Sequence, residues 1–141
     1  MPVDINIIDS LNLFEDLSHA ELEEIAFLMR RIRVTEGEAI TRRGAPAHTI
    51  FILLSGNFMV FFKEGRSYTL HNKGDIIGLS TVVIPFYYTG TAVALSDGVV
   101  LSMPGQELLR LIESNPVMSD KIMKKINQIV SARLPFVTGR C

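Results

Sequence analysis

The apolar residues of the chain fall into three textures. In the first, Leu22, Ile25, Ala26, Met29 and Ile32 recur every three or four positions, the spacing of a helix face. Ser18 and Glu21 have capping-box spacing, in which each side chain takes an orphan backbone N–H, and Leu17 and Leu22 stand where a hydrophobic staple would hold the entering chain. A helix is predicted from about 18 to 31. In the second texture, from 33 to 103, short runs rich in Ile, Val, Phe, Tyr and Thr are cut about every ten residues by glycine. The runs 34–35, 39–41, 49–54, 57–63, 68–71, 91–95 and 99–103 read as strands, and Asp97-Gly98 between the last two carries a hairpin signal. About eight short strands at this turn spacing predict a sandwich, barrel or jelly roll. In the third texture, 106–114 reads as a short helix broken by Asn115-Pro116. Met118, Ile122, Met123, Ile126, Ile129, Val130 and Leu134 then mark an amphipathic helix over 117–134 that Pro135 should end.

Composition narrows the function classes. At 141 residues the chain has room for about one domain. A content of 48% hydrophobic and 21% charged residues excludes a disordered chain. Fourteen Lys and Arg against fifteen Asp and Glu give a net charge of −1, which argues against direct nucleic-acid binding by this domain. The longest apolar runs, 50–54 and 58–62, fall far short of the ~20 residues of a membrane span. The N-terminus lacks the basic start and apolar core of a secretion signal. The only cysteine, Cys141, gives neither a disulfide within the chain nor a Cys-based zinc site. These features predict a soluble, cytoplasmic protein with residues 1–141 in a single domain and no membrane contact. His19, His48 and His71 are scattered without the spacing of a metal site, so no metal is expected. Gly78-Leu79-Ser80 lacks the second glycine of a nucleophile elbow, and a Ser80, His71 and Asp75 triad has nothing further behind it, so no catalytic residue is expected. Lys121, Lys124 and Lys125 read as a solvated helix face.

The order of elements and the glycine positions resemble the cyclic nucleotide-binding domain family, of which catabolite-activator-like sensors are examples. The residues that carry the resemblance are Gly37 in Glu36-Gly37-Glu38, Gly44, Gly56 in Leu54-Ser55-Gly56, Gly74 in Lys73-Gly74-Asp75, and Gly78. The run from Phe51 through Gly56 to Val60 is similar to the family's strand–turn–strand hairpin, and Gly74-Asp75-Ile76-Ile77-Gly78 to the entry of its phosphate-binding cassette. The resemblance covers about residues 10 to 134. It implies a mainly β fold, a double-stranded β-helix or jelly roll of about eight strands over roughly 33–103. An N-terminal helix precedes it and C-terminal helices follow, the last of them (117–134) serving as lid and dimerisation helix. No helix-turn-helix domain of the kind found in the family's DNA-binding members is expected within residues 1–141.

In the family the cassette holds a cyclic phosphate on helix N-terminal amides and an arginine, with a glutamate on the ribose hydroxyl. This sequence departs at both side chains. Leu79 follows Gly78 where the glutamate would stand. Counting back from Ala92-Val93-Ala94 puts Tyr88 at the arginine position, and residues 74–109 contain no Lys or Arg. Losing both contacts costs on the order of 3–5 kcal/mol, enough to move micromolar binding towards millimolar.

The expectation is therefore a non-catalytic regulatory or small-ligand-sensing module in which cAMP or cGMP binding is weak or absent and no cofactor is required. Its effector, a cyclic nucleotide or another small molecule, would meet Gly78, Leu79, Ser80, Thr81, Tyr88 and Thr89, with Arg133 of the last helix reaching over from the lid. The bland alternative is that Val82, Val83, Ile84 and Phe86 simply fill the old pocket, leaving a protein-interaction or dimerisation module. A third option is the sensor part of a catabolite-activator-type transcription regulator. A homodimer through the final helix is expected, with Met118, Ile122, Ile126, Ile129 and Leu134 as its seam.

Overall fold

The computed structural model describes residues 3–78 and 87–138, with side chains to residue 132. A short helix α1 (Ile5–Ile8), a 3-10 turn (Asn12–Phe14) and α2 (His19–Leu28) lead into the strands. Eight strands are described: β1 (Arg30–Val34), β2 (Ala39–Thr41), β3 (Thr49–Ser55), β4 (Phe58–Phe61), β5 (Ser67–Leu70), β6 (Ile76–Ile77), β7 (Thr91–Ala94) and β8 (Gly98–Pro104). Two helices, α3 (Gly105–Glu113) and α4 (Pro116–Thr138), follow. The strands form two antiparallel four-stranded sheets, ordered β1-β8-β3-β6 and β2-β7-β4-β5. This is the jelly roll that the family resemblance implies, one of the three architectures that the glycine spacing leaves open.

The two cores explain the hydrophobic pattern. Between the sheets lie Val34, Leu53, Phe58, Val60, Ile77 and Val100. On the other side of the first sheet, Ile50, Ile52, Leu101 and Met103 meet the helices through Phe14, Leu22, Ile25, Met118, Ile122 and Ile126. Strand β3 is thus covered on both faces, which is why 50–54 reads as a continuous apolar run rather than an alternating one.

Local chemistry sets the element boundaries. The Ser18 hydroxyl accepts the Glu21 N–H, and Glu21 Oε1 accepts the Ser18 N–H at 2.8 Å, completing the capping box of α2. At the start of α4, Asn115 Oδ1 accepts the Met118 N–H, and Pro116 occupies the first turn, where its missing N–H costs nothing.

Four expectations need correction. Helix α2 stops at Leu28, because Met29 is extended and Arg30–Val34 pairs with β8, Ile32 lying opposite Val100. Met29 and Ile32 satisfy a helical repeat, whereas Ile32 and Val34 equally satisfy a strand repeat, and pairing with β8 decides between them. Asp97-Gly98 is not a hairpin, since β7 and β8 lie in different sheets and the turn carries the chain across. The same holds for the turn between β3 and β4. Glycine is required at both crossings because they touch. A Cβ on Gly98 would sit 2.4 Å from the Ser55 carbonyl oxygen, and one on Gly56 2.8 Å from Gly98 Cα. Finally, α4 runs to Thr138 through Pro135, so this proline lies within the helix instead of ending it.

Candidate ligand site

The rim of the cassette is built on the N-terminal end of β3. Strand β3 pairs with β6 at Phe51↔Ile77 and Ile52↔Ile76. The Leu53 N–H bond to Asp75 and the Gly74 N–H bond to Leu53 show that odd-numbered residues of β3 turn their backbone groups towards β6. Described β6 ends at Ile77, and Thr49 finds its partner elsewhere. The Tyr88 hydroxyl donates to the Thr49 carbonyl at 2.8 Å and accepts the Thr49 N–H at 3.2 Å. One phenol oxygen thereby does the work of a strand residue.

The surrounding packing fixes that phenol. Gly78 has φ +91, and a Cβ there would lie 2.7 Å from the Thr49 oxygen and 3.2 Å from Tyr88 Cε1. Only glycine fits, for backbone and space alike. The backbone of Tyr88 is held as well, its N–H bonding to Ala45 at 2.9 Å and its carbonyl accepting the Gly44 N–H at 2.8 Å. Behind it, Gly90 presses on Val60 and Phe62, and its carbonyl accepts the hydroxyl of buried Thr41, which in turn accepts the Ala92 N–H. Tyr88 is buried, and desolvation raises its pKa above the usual phenol value against the lowering effect of the Thr49 and His48 backbone contacts. The side chain therefore stands at neutral pH as an uncharged phenol whose single proton is already engaged.

Of the residues expected at the site, Gly78 and Tyr88 are brought into contact, and Thr89 sits half-buried beside them. Leu79, Ser80 and Thr81, with the apolar stretch to residue 86, lie outside the described residues, as does the Arg133 side chain. Thr49 and Thr41 are the contributors that the sequence reading misses. Thr49 takes part through its backbone, which no side-chain pattern marks.

The last helix binds inward over its first turns. Met118, Ile122 and Ile126 have no exposed surface, Lys121 pairs with Glu21 at 2.9 Å, and Lys125 pairs with Glu15. The Glu15 hydrogen bond raises the Lys125 pKa, and the bond from the Ser18 N–H, followed by that to Lys121, lowers the Glu21 pKa. Two of the three lysines read as solvated are thus ion-paired to the N-terminal segment. The proposed seam residues Met118, Ile122 and Ile126 are covered by this chain's own core. Among the described residues, no group of three or more His, Cys, Asp and Glu could hold a metal ion, and no helix is long and apolar enough to cross a membrane.

A family model for the cyclic nucleotide-binding domain matches residues 31–115. An NTE family protein of Mycobacterium tuberculosis is 25% identical over 128 residues, 91% of this chain and 22% of its own length. The chain thus spans about a fifth of that relative. Among solved structures, a cyclic nucleotide-binding protein of Geobacter metallireducens superposes with a TM-score of 0.84 at 23% identity, over 94% of this chain and 98% of that one. The sensor domain of a transcriptional regulator of Pseudomonas aeruginosa gives 0.72 at 22% identity, over 92% and 89%.

Proposed function

Since the chain belongs to the cyclic nucleotide-binding domain family, we propose that it is a non-catalytic regulatory module whose effector site is the cassette between Gly78 and Gly90, and that it binds cAMP and cGMP weakly or not at all. The observation that carries the second half is Tyr88. At the position where the family's arginine would meet a phosphate stands a neutral phenol bonded to the Thr49 backbone, and residues 74–109 supply no other cation. Leu79 removes the ribose acceptor. An effector with less phosphate dependence, contacting Ser80, Thr81 and Thr89 with Arg133 above, suits this composition. The module works in the cytoplasm. It forms a homodimer through the final helix, on residues other than Met118, Ile122 and Ile126, which are covered within the chain.

Thermal shift with cAMP, cGMP and a metabolite panel tests the reading. A ligand at 100 times its Kd stabilises by about 2.7 kcal/mol, a readily measured change. The expected result is no shift with micromolar cyclic nucleotide and a shift with another small molecule. A clear shift with micromolar cAMP would overturn the assignment of Leu79 and Tyr88 as disabling. Silence across the whole panel would favour a ligand-free interaction module.

A further inference from the structure

Away from the cassette, on the helical side of the first sheet, a cleft of about 280 Å³ is lined by Ile7, Arg31, Leu54, Ser55, Lys73 and Val99. Arg31 lies opposite Leu101, which belongs to the helix-facing core, so it projects on the same side. Its donors come from three separate places in the fold: Arg31 from β1, Ser55 from the end of β3, and Lys73 from the turn before β6. Arg31 and Lys73 are both exposed, and among the described residues neither is in an ion pair, unlike Arg66, Arg110, Lys121 and Lys125.

Three acidic residues close in sequence to the lining segments are each engaged by a backbone N–H. Asp4 takes that of Asn6 at 2.9 Å, Asp75 that of Asn72 at 3.0 Å, and Asp97 that of Glu36 at 2.8 Å. No carboxylate lines the cleft. An arginine, a lysine and a serine lining one cleft suit a tetrahedral dianion with several free oxygens better than a flat carboxylate, which a single arginine satisfies. Ile7, Leu54 and Val99 supply an apolar wall beside them. The volume of about 280 Å³ lies just below the ~300–1,000 Å³ of ordinary ligand pockets, which limits the occupant to a head group and a compact body.

We propose that this cleft binds a phosphate monoester carrying a compact apolar group, at a site separate from the cassette. The phosphate bridges Arg31 and Lys73 over Ser55, and the apolar group lies on Ile7, Leu54 and Val99. Such chemistry is presented by a free metabolite or by the head of a phosphatidic acid in a bilayer.

Calorimetric titration of the whole chain with phenyl phosphate and with inorganic phosphate tests this, alongside sedimentation with phosphatidylcholine vesicles with and without phosphatidic acid. Both cations are exposed and, among the described residues, unpaired, so R31Q and K73Q are expected to fold as the parent does. Phenyl phosphate is expected to bind, to weaken at least tenfold in each variant, to be unchanged in K124Q, a residue outside the cleft lining, and to bind at least tenfold more tightly than inorganic phosphate. Binding seen only with vesicles containing phosphatidic acid, with the same pattern across variants, assigns the source to lipid and supports the site. Three outcomes overturn the proposal: no binding in either format, an equal loss in K124Q, or inorganic phosphate matching phenyl phosphate. None of them bears on the cassette, which the cyclic-nucleotide titration probes independently.

Discussion

At the scale of the residue, replacing Tyr88 by Phe removes one oxygen and leaves both backbone groups of Thr49 without that partner. Two hydrogen bonds in a part-buried setting are worth about 1–3 kcal/mol together, so Y88F should lower stability by that amount in urea unfolding monitored by circular dichroism. The variant also has a signature in pH. Burial raises the folded pKa of Tyr88 above 10.0. Above about pH 10 the unfolded phenol therefore ionises first, and stability falls as pH rises. The part of this alkaline loss due to Tyr88 is expected to vanish in Y88F. Position 88 is legible in the sequence, reached by counting back from Ala92-Val93-Ala94. What the phenol does there is not legible, because its partner is a backbone unit 39 positions away and any residue at 49 other than proline would offer the same two groups.

The elements differ in how much of their extent is written locally. The start of α2 is legible because Ser18 and Glu21 close their box within four residues. Its end is not, since the competing partner of Ile32 is Val100 in β8. Asp97-Gly98 misleads for a related reason. Turn chemistry specifies that the chain reverses and leaves open which sheet it enters next, and here two glycines let the crossings pass back to back. The stripe on α4 is legible as apolar, yet its partner is the N-terminal helical group of this chain. Ile122 is fully buried there, so I122A is expected to cost about 2–5 kcal/mol, whereas K124A on the exposed face should stay within ~0.5 kcal/mol, both read by urea unfolding.

At the scale of the molecule, the sequence carries a domain of short strands in its glycines and the covering helices in their repeats, because both arise from backbone and solvent constraints that act everywhere along the chain; the jelly roll itself comes with the family resemblance. The site is less legible, since it depends on which distant groups meet. Self-association also belongs to this scale. Light scattering at high concentration is expected to give twice the 15.7 kDa chain mass, and a monomeric mass would count against α4 as a dimer helix. A last consequence follows from the way Tyr88 meets β3. The Thr49 N–H has a phenol oxygen as its partner at the rim of the cassette, on a strand otherwise locked between two cores. Its amide proton can exchange with water when that phenol swings away, without the sheets coming apart. The exchange rate of this one proton is therefore a clock on the opening of the rim, readable in the resting protein before any effector is known.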